Sequence, residues 1–342
     1  MFGNLHISKN SETESMVITK INWGIIGCGD VTEIKSGPAF NKVPNSKLVA
    51  VMRRNGDKAA DYAKRHNVPS WYDDAEKLIN DPEVNAIYIA TPPSSHEQYA
   101  LAAIEAGKPV YVEKPMALNY AAAKNIAGAA TAKNVKLTVA HYRRQWPLFK
   151  KLKELIDTKA VGNVHLVKLS LYKNAFTADQ LANESLAWRV DPAIAGGGLF
   201  HDLAPHQLDI LYHIFGAAKK ITGIAINQAG KYAADDMVTG NILFENDIVF
   251  SGAWCFNANE QSDRCEIIGS NGKISFIFFD GGGIELVTNN TTTVFNFDAL
   301  QHVQQPMIEK TVQYFLGNAA NPCTGEEGAE VMRWIEEFVT RK

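Results

Sequence analysis

Short, uninterrupted apolar runs alternate with helical-period segments along the first half of the chain. Ile21–Ile26, Lys47–Met52, Ala86–Ala90, Val110–Val112 and Lys136–Ala140 read as buried strands, with a shorter one near Ser70-Trp71-Tyr72. Between them Asp57–His66, Asp73–Asn80, Glu97–Ala106 and Tyr120–Lys133 carry helical spacing, and Gly107 reads as a C-cap. This strand–helix order predicts a parallel, doubly wound α/β sheet. Phe149–Lys159 is an amphipathic helix, and Val164–Leu171 alternates as the first strand of a second sheet. After Gly216 the pattern is strand-rich. Met237–Phe244 and Ile248–Trp254 flank Glu245-Asn246-Asp247, which predicts a hairpin. Cys265–Gly269 and Lys273–Phe279 flank Ser270-Asn271-Gly272, where Asn-Gly favours a type I′ turn. Gly281-Gly282-Gly283 breaks the next pair, Thr291–Phe297 ends the strands, and Gln304–Leu316 and Glu326–Arg341 read as closing helices. The divisions are a polar tail at 1–19, a first domain at 20–140 and a second at 141–342.

The length of 342 residues suits two domains with an ample core. Hydrophobic residues make up 46% and charged ones 21%, as in an ordinary globular enzyme. The net charge of −3 and the lack of a long basic run predict neither nucleic-acid nor membrane-surface binding. No apolar run is long enough to span a bilayer. Cys28, Cys255, Cys265 and Cys323 show no Cys-x-x-Cys pairing and read as reduced thiols of a cytoplasmic protein. Residues 1–19 lack the apolar core of a signal peptide, and Met16 is an alternative start.

Candidate chemistry gathers at strand ends. Gly27-Cys28-Gly29-Asp30-Val31-Thr32 follows the first strand. Gly27 permits a tight turn, Gly29 lets a pyrophosphate approach backbone N–H groups, and Asp30 and Val31 open the helix. Thr32 stands where a third glycine is usual. Ser36-Gly37-Pro38 then reads as a fresh cap, so the first helix is expected to be interrupted or to start late. The second strand ends in Met52-Arg53-Arg54 with no acid before Asp57. Arg53 and Arg54 are either a surface pair or a cradle for a 2′-phosphate; the second reading predicts NADP in preference to NAD. Thr91-Pro92-Pro93 stops the strand before it, and Thr91, Pro92 and His96 are candidate cofactor contacts. Glu113-Lys114-Pro115 ends the next strand, placing Lys114 toward the nicotinamide edge.

The longest concentration of such residues runs from Gly196-Gly197-Gly198 to Asp209. Asp202 and His206 are four residues apart and share a helix face. They are either an ion pair on a solvated helix or a carboxylate that raises the pKa of an acid/base imidazole. The glycines are expected to make room beside a cofactor, and Asp209 is at most a substrate contact. His201, Asp202 and His206 do not converge easily as metal ligands, because adjacent helical residues point about 100° apart. No metal is expected.

Taken together, Gly27-x-Gly29, Glu113-Lys114-Pro115 and the glycine triplet with Asp202 and His206 resemble the glucose–fructose oxidoreductase / inositol dehydrogenase (Gfo/Idh/MocA-like) family. The resemblance runs from about residue 21 to the end. It implies a Rossmann domain followed by an α/β domain on a large, mostly antiparallel open sheet. It implies oxidation of a ring hydroxyl of a sugar or cyclitol, or reduction of the ketone, with NAD(P). Carried over, Lys114 contacts nicotinamide and substrate, and Glu113 before it helps fix a cis lysine–proline peptide. Asp202 orients substrate and histidine, and His206 is the acid/base. Trp188 and Arg189 lie near the cofactor; Trp188 is also a candidate wall for a sugar ring, and Arg189 is alternatively structural. Tyr142 and Arg144 are sugar contacts or a structural hinge. Ala204 and Pro205 depart from the family pattern. Pro205 denies a donor inside the helix, so the helix is expected to start near Asp202, capped by it, or to bend there. An open sheet face needs covering, which predicts a homodimer or homotetramer. The rival readings are a glycosidase or lyase using transient oxidation and a non-catalytic dinucleotide-binding regulator.

Overall fold

The computed structural model describes residues 19–279 and 281–340. The polar tail, Met16 included, therefore lies outside the described residues except for Thr19. The first sheet is built from β1 (Ile21–Ile26), α1 (Asp30–Ile34), β2 (Ser46–Met52), α2 (Gly56–His66), β3 (Ser70–Tyr72), α3 (Ala75–Ile79), β4 (Ala86–Ile89), α4 (His96–Glu105), β5 (Val110–Val112), α5 (Tyr120–Ala132) and β6 (Leu137–Val139). Its six strands are parallel and ordered β3-β2-β1-β4-β5-β6. The order in which strands are added reverses between β1 and β4, the point at which such sheets open a crevice at their carboxyl ends. β4 and β5 are wholly buried, as continuous apolar strands covered on both faces must be. The first helix is interrupted as expected: α1 is short, and a separate 3₁₀ turn covers Gly37–Asn41.

The second domain opens with α6 (Pro147–Asp157), β7 (Val164–Tyr172), the short helices α7 (Ala178–Ala182), α8 (Glu184–Ala187) and α9 (Pro192–Ala195), and the long α10 (Leu199–Phe215). Then come β8 (Ala218–Ile226), β9 (Met237–Phe244), β10 (Val249–Cys255), β11 (Ser262–Gly269), β12 (Gly272–Phe276), β13 (Ile284–Thr288) and β14 (Thr291–Phe295). The eight strands are ordered β14-β13-β12-β11-β7-β10-β9-β8. All pairs are antiparallel except β7 with β10. Both expected hairpins form, but the second lacks a type I′ turn. Neither Asn271 nor Gly272 takes the positive φ that turn needs.

The closing helices, α11 (Gln305–Phe315) and α12 (Gly325–Val339), come last in sequence but tie the two sheets together. Phe315 packs with Trp23 of β1 at 5.5 Å. Phe338 of α12 packs with Trp254 of β10 at 5.5 Å and with Phe200 of α10 at 6.0 Å. Trp23, Trp254 and Phe338 are fully buried, each stabilising by roughly 2–3 kcal/mol through lost apolar exposure. Among the described residues no helix is long and apolar enough to cross a membrane.

Two glycines make a paired stability test. A Cβ on Gly37 would stand 2.2 Å from the Tyr62 hydroxyl and 2.3 Å from the Thr32 carbonyl. Gly37→Ala should cost about 1–3 kcal/mol in urea unfolding. A Cβ on Gly128, inside α5, meets nothing within 4 Å. Gly128→Ala should stabilise by about 0.5–1 kcal/mol.

Candidate active site

The crevice is lined on one side by the strand ends of the first sheet. Gly27 takes φ +94°, and a Cβ there would strike Thr91 at 2.7 Å, so only glycine lets the loop pass the end of β4. The N–H groups of Gly27 and Cys28 donate to the Met52 carbonyl. The N–H groups of Asp30 and Val31, in the first turn of α1, have no intrahelical acceptor, while that of Thr32 donates to the Gly29 carbonyl at 2.9 Å. A Cβ on Gly29 would have only the Gly27 carbonyl within 4.0 Å. Asp30 and Val31 open α1 at this edge. Arg53 Nη1 lies 3.5 Å from the Cys28 carbonyl, and Arg54 is exposed beside it. Thr91 and Pro92 are half-buried at the end of β4.

The other side is α10 and its approach. Gly198, at φ +80°, is the N-cap, so the helix begins at Leu199 and not at Asp202. It runs through Pro205 to Phe215. Lacking an N–H, Pro205 gives the His201 carbonyl no intrahelical donor. The glycine triplet makes room for the protein's own atoms. A Cβ on Gly197 would lie 2.1 Å from the His201 ring, on Gly196 2.7 Å from the Leu118 carbonyl, and on Gly198 2.3 Å from Ala234.

Lys114 and Asp202 bring the two sides together. Lys114 Nζ donates to Asp202 Oδ1 and to the Asp202 main-chain carbonyl, both at 2.9 Å. Arg189 Nε stands 3.5 Å from Asp202 Oδ2. Burial penalises both charges, but each opposes the other: Lys114 is held above the ordinary lysine range and Asp202 below the ordinary aspartate range. The peptide after Lys114 is cis. His206 is buried, edge-on to Tyr142 at 5.2 Å and to Phe279 at 5.8 Å. Its Nδ1 is buried without a hydrogen-bond partner. Burial, then the charges of Lys114 and Arg143, hold this imidazole well below its usual range. A protonated ring would also need an acceptor at Nδ1, and none of the described residues provides one.

Several sequence expectations change here. Asp202 makes no hydrogen bond to His206, and its carboxylate does not raise that pKa; it is committed to Lys114 and Arg189. Arg144 is not a sugar contact. Its guanidinium is buried, bonded at Nε and Nη2 to Asp209 and at Nη1 to Glu327 and the Pro322 carbonyl. Asp209 is thereby removed from the substrate as well. His96 does not reach a cofactor: it is buried, with Nδ1 3.0 Å from the Pro115 carbonyl and Nε2 2.7 Å from the Thr91 carbonyl. Glu113 is turned away from the crevice. Its oxygens accept from Tyr88, Gln304 and the Lys114 N–H, so it supports Lys114 from behind. Tyr142 does face His206. Trp188 donates from Nε1 to the Ser185 carbonyl, and the Arg189 guanidinium covers its ring at 4.6 Å.

Some contributors had no signal in the sequence. Gln304 binds Glu113 from 191 residues away. His141 lies 3.7 Å from Asp209 and is depressed to about 4 by burial. Lys35, an exposed loop lysine, acts electrostatically on both Asp202 and His206. Among the described residues no group of three His, Cys, Asp or Glu is placed to hold a metal.

Residues 21–141 match the model of the GFO/IDH/MocA oxidoreductase family, NAD-binding Rossmann fold, and residues 149–275 match the GFO/IDH/MocA C-terminal domain. The sequence is 48% identical over 94% of its length to Oxidoreductase P35 of Formosa agariphila, covering 98% of that protein. It is 26% identical to 1,5-anhydro-D-fructose reductase of Ensifer adhaerens over 74% of each chain. A solved structure of levoglucosan dehydrogenase in complex with NADH superposes with a TM-score of 0.85 at 22% identity, over 93% of this chain and 96% of that one.

The depressed His206 pKa depends on Lys114 in a way that can be measured. Lys114→Met removes a neighbouring cation and frees the Asp202 carboxylate, and both changes favour the imidazolium. The His206 titration, followed by imidazole NMR, should move to higher pH. An unchanged or lower midpoint would contradict this electrostatic account.

Proposed function

The chain belongs to the GFO/IDH/MocA family of oxidoreductases with an NAD(P)-binding Rossmann domain, and from that premise we propose that it transfers hydride between nicotinamide and a ring carbon of a sugar, cyclitol or keto-sugar. The observation that carries this reading is the convergence of Lys114, from the end of β5, with Asp202 and His206 of α10 at one crevice. The residues present fit a dinucleotide. Gly29 leaves open space beside the first N–H groups of α1, and Gly27, Asp30, Val31, Thr91 and Pro92 border the same edge. Trp188 is a further candidate contact from the second domain. Arg53 and Arg54, just beyond β2, support NADP over NAD, because two guanidiniums suit a ribose 2′-phosphate. Bound nicotinamide supplies the hydride chemistry; the protein supplies position and field.

The chain's own residues divide the remaining work. His206 is neutral at working pH, so it takes the hydroxyl proton in oxidation and returns it in reduction. With Nδ1 buried, Nε2 is the nitrogen for that transfer. Lys114 stabilises the oxygen as it becomes negative. Asp202 fixes the ammonium and offers a hydroxyl acceptor, and Tyr142 closes the wall beside His206.

The outer face of the second sheet is uncovered in one chain. Ile224 is 63% exposed and Val294 51%, and Ile226 and Val249 are also exposed. This apolar face supports a homodimer or homotetramer. A single-protomer mass in sedimentation at micromolar concentration would refute it. The unpaired cysteines support a cytoplasmic location, which cell fractionation checks.

Steady-state kinetics of wild type and His206→Asn with each cofactor test the assignment. The variant should lose roughly 10²–10⁴-fold in kcat while cofactor affinity is kept. Wild type should favour NADP in kcat/KM. Retained turnover removes His206 from its role, and parity with NAD removes the NADP preference. Product formed without net cofactor reduction marks the transient-oxidation chemistry instead.

A further inference from the structure

The segment just before α11 is tied down at three consecutive residues. His302 Nδ1 donates to the Ile34 carbonyl at 2.6 Å, the Val303 carbonyl accepts from Trp146 Nε1 at 2.8 Å, and the Gln304 N–H donates to the Lys35 carbonyl at 3.1 Å. The Gln304 carbonyl accepts from the N–H groups of Met307 and Ile308 as α11 begins. Both main-chain groups of Gln304 are therefore committed, and its side chain is buried against Tyr88 of β4 and Tyr111 of β5. Its Oε1 accepts from the Tyr111 hydroxyl at 3.1 Å, and its Nε2 donates to Glu113 Oε1. A carboxylate only accepts and a phenol can donate, so this orientation of the amide satisfies both ends.

The Glu113 carboxylate is itself buried, and the three groups that meet it are neutral: the Gln304 amide, the Tyr88 hydroxyl and the Lys114 N–H at 3.2 Å. Lys114 is thus held at two points, by Glu113 at its main chain and by Asp202 at its ammonium. A buried carboxylate with too few donors takes up a proton. Burial raises Glu113 above the usual carboxylate range, and Tyr88 and Gln304 lead the groups that oppose it. We propose that Gln304 is a positioning residue for hydride transfer: its amide fixes the Glu113 carboxylate, and Glu113 fixes the main chain of Lys114, so that the ammonium stands at the reacting oxygen. This rests on the hydride-transfer reading. A positioning role and a merely structural one part company when the amide becomes a carboxyl. In Gln304→Glu two carboxyls face each other. At lower pH they share one proton, which reproduces the donation of the amide; at higher pH that proton leaves and two like charges repel.

Wild type, Gln304→Glu and Gln304→Met are compared as full-length proteins, with the best wild-type substrate from a panel of sugars, inositols and keto-sugars. Kinetics are followed across pH, with circular dichroism at each pH and cofactor Kd from the fluorescence of the reduced form. Gln304→Glu should stay within about twofold of wild-type kcat at low pH and lose about tenfold or more as pH rises, reversibly, in a folded protein with unchanged cofactor Kd. Gln304→Met should lose about tenfold in kcat at every pH, with KM changed far less. In cofactor-free Gln304→Glu the His206 imidazole resonance, which senses the Lys114 charge, should shift over the same pH interval. A Gln304→Glu profile that follows wild type at every pH overturns the proposal. So does a loss that follows the unfolded fraction, or one carried by cofactor Kd. Tyr111→Phe removes only the hydroxyl that holds the amide oxygen and should show the same kcat loss in smaller size, about threefold. Where neither Gln304 variant folds, an unchanged kcat in Tyr111→Phe overturns the proposal as well. A wild type that turns over nothing on the panel refutes the hydride-transfer reading instead, and the imidazole shift then tests the link from Gln304 to Lys114 by itself.

Discussion

A largely desolvated ammonium needs a counter-charge, and Lys114, part-buried, draws its counter-charge from the other domain. Its nitrogen is held by the carboxylate and the main-chain carbonyl of Asp202, in the first turn of α10. Each partner would be destabilised alone, because a largely desolvated charge left without its partner is costly. The pair therefore constrains where the end of β5 and the start of α10 sit.

The rest of the site answers that constraint. Glu113 points back into the first domain, where Tyr88 and Gln304 hold it and it holds the Lys114 N–H. The glycine triplet lets α10 begin tightly against Leu118, His201 and Ala234. Beneath them Arg144 and Asp209 form a second buried pair, which burial alone would disfavour but whose mutual attraction keeps Arg144 charged. This lower pair is structural, and it frees the upper one to face the crevice.

The same charges set the chemistry. Burial and the nearby cations keep His206 neutral, and its unpartnered Nδ1 leaves a protonated ring unsatisfied. A base of this kind holds a proton only when its surroundings change, as they do when substrate enters and water leaves. Placing an imidazole beside an ammonium thus trades basicity for a strong response to the charge of whatever binds.

Much of this was legible in the chain. Apolar runs such as Ala86–Ala90 and Val110–Val112 determined buried parallel strands, because only strands covered on both faces lack polar positions. Gly27, Gly29, Lys114, Asp202 and His206 marked the site by their residue types at strand and helix ends. What partners each of them had was not legible. Helical spacing put Asp202 and His206 on one face and suggested that they pair, but spacing carries no information about a lysine on another sheet that competes for the carboxylate. Arg144, His96 and Glu113 looked available because each is polar and near a motif; packing buried them against Asp209, against two carbonyls and against Tyr88 and Gln304. Local sequence determines backbone conformation and which face is apolar, since both follow from neighbours a few residues away. Pairing between charges far apart in sequence is decided by tertiary structure, which alone determines which of them share a low-dielectric interior.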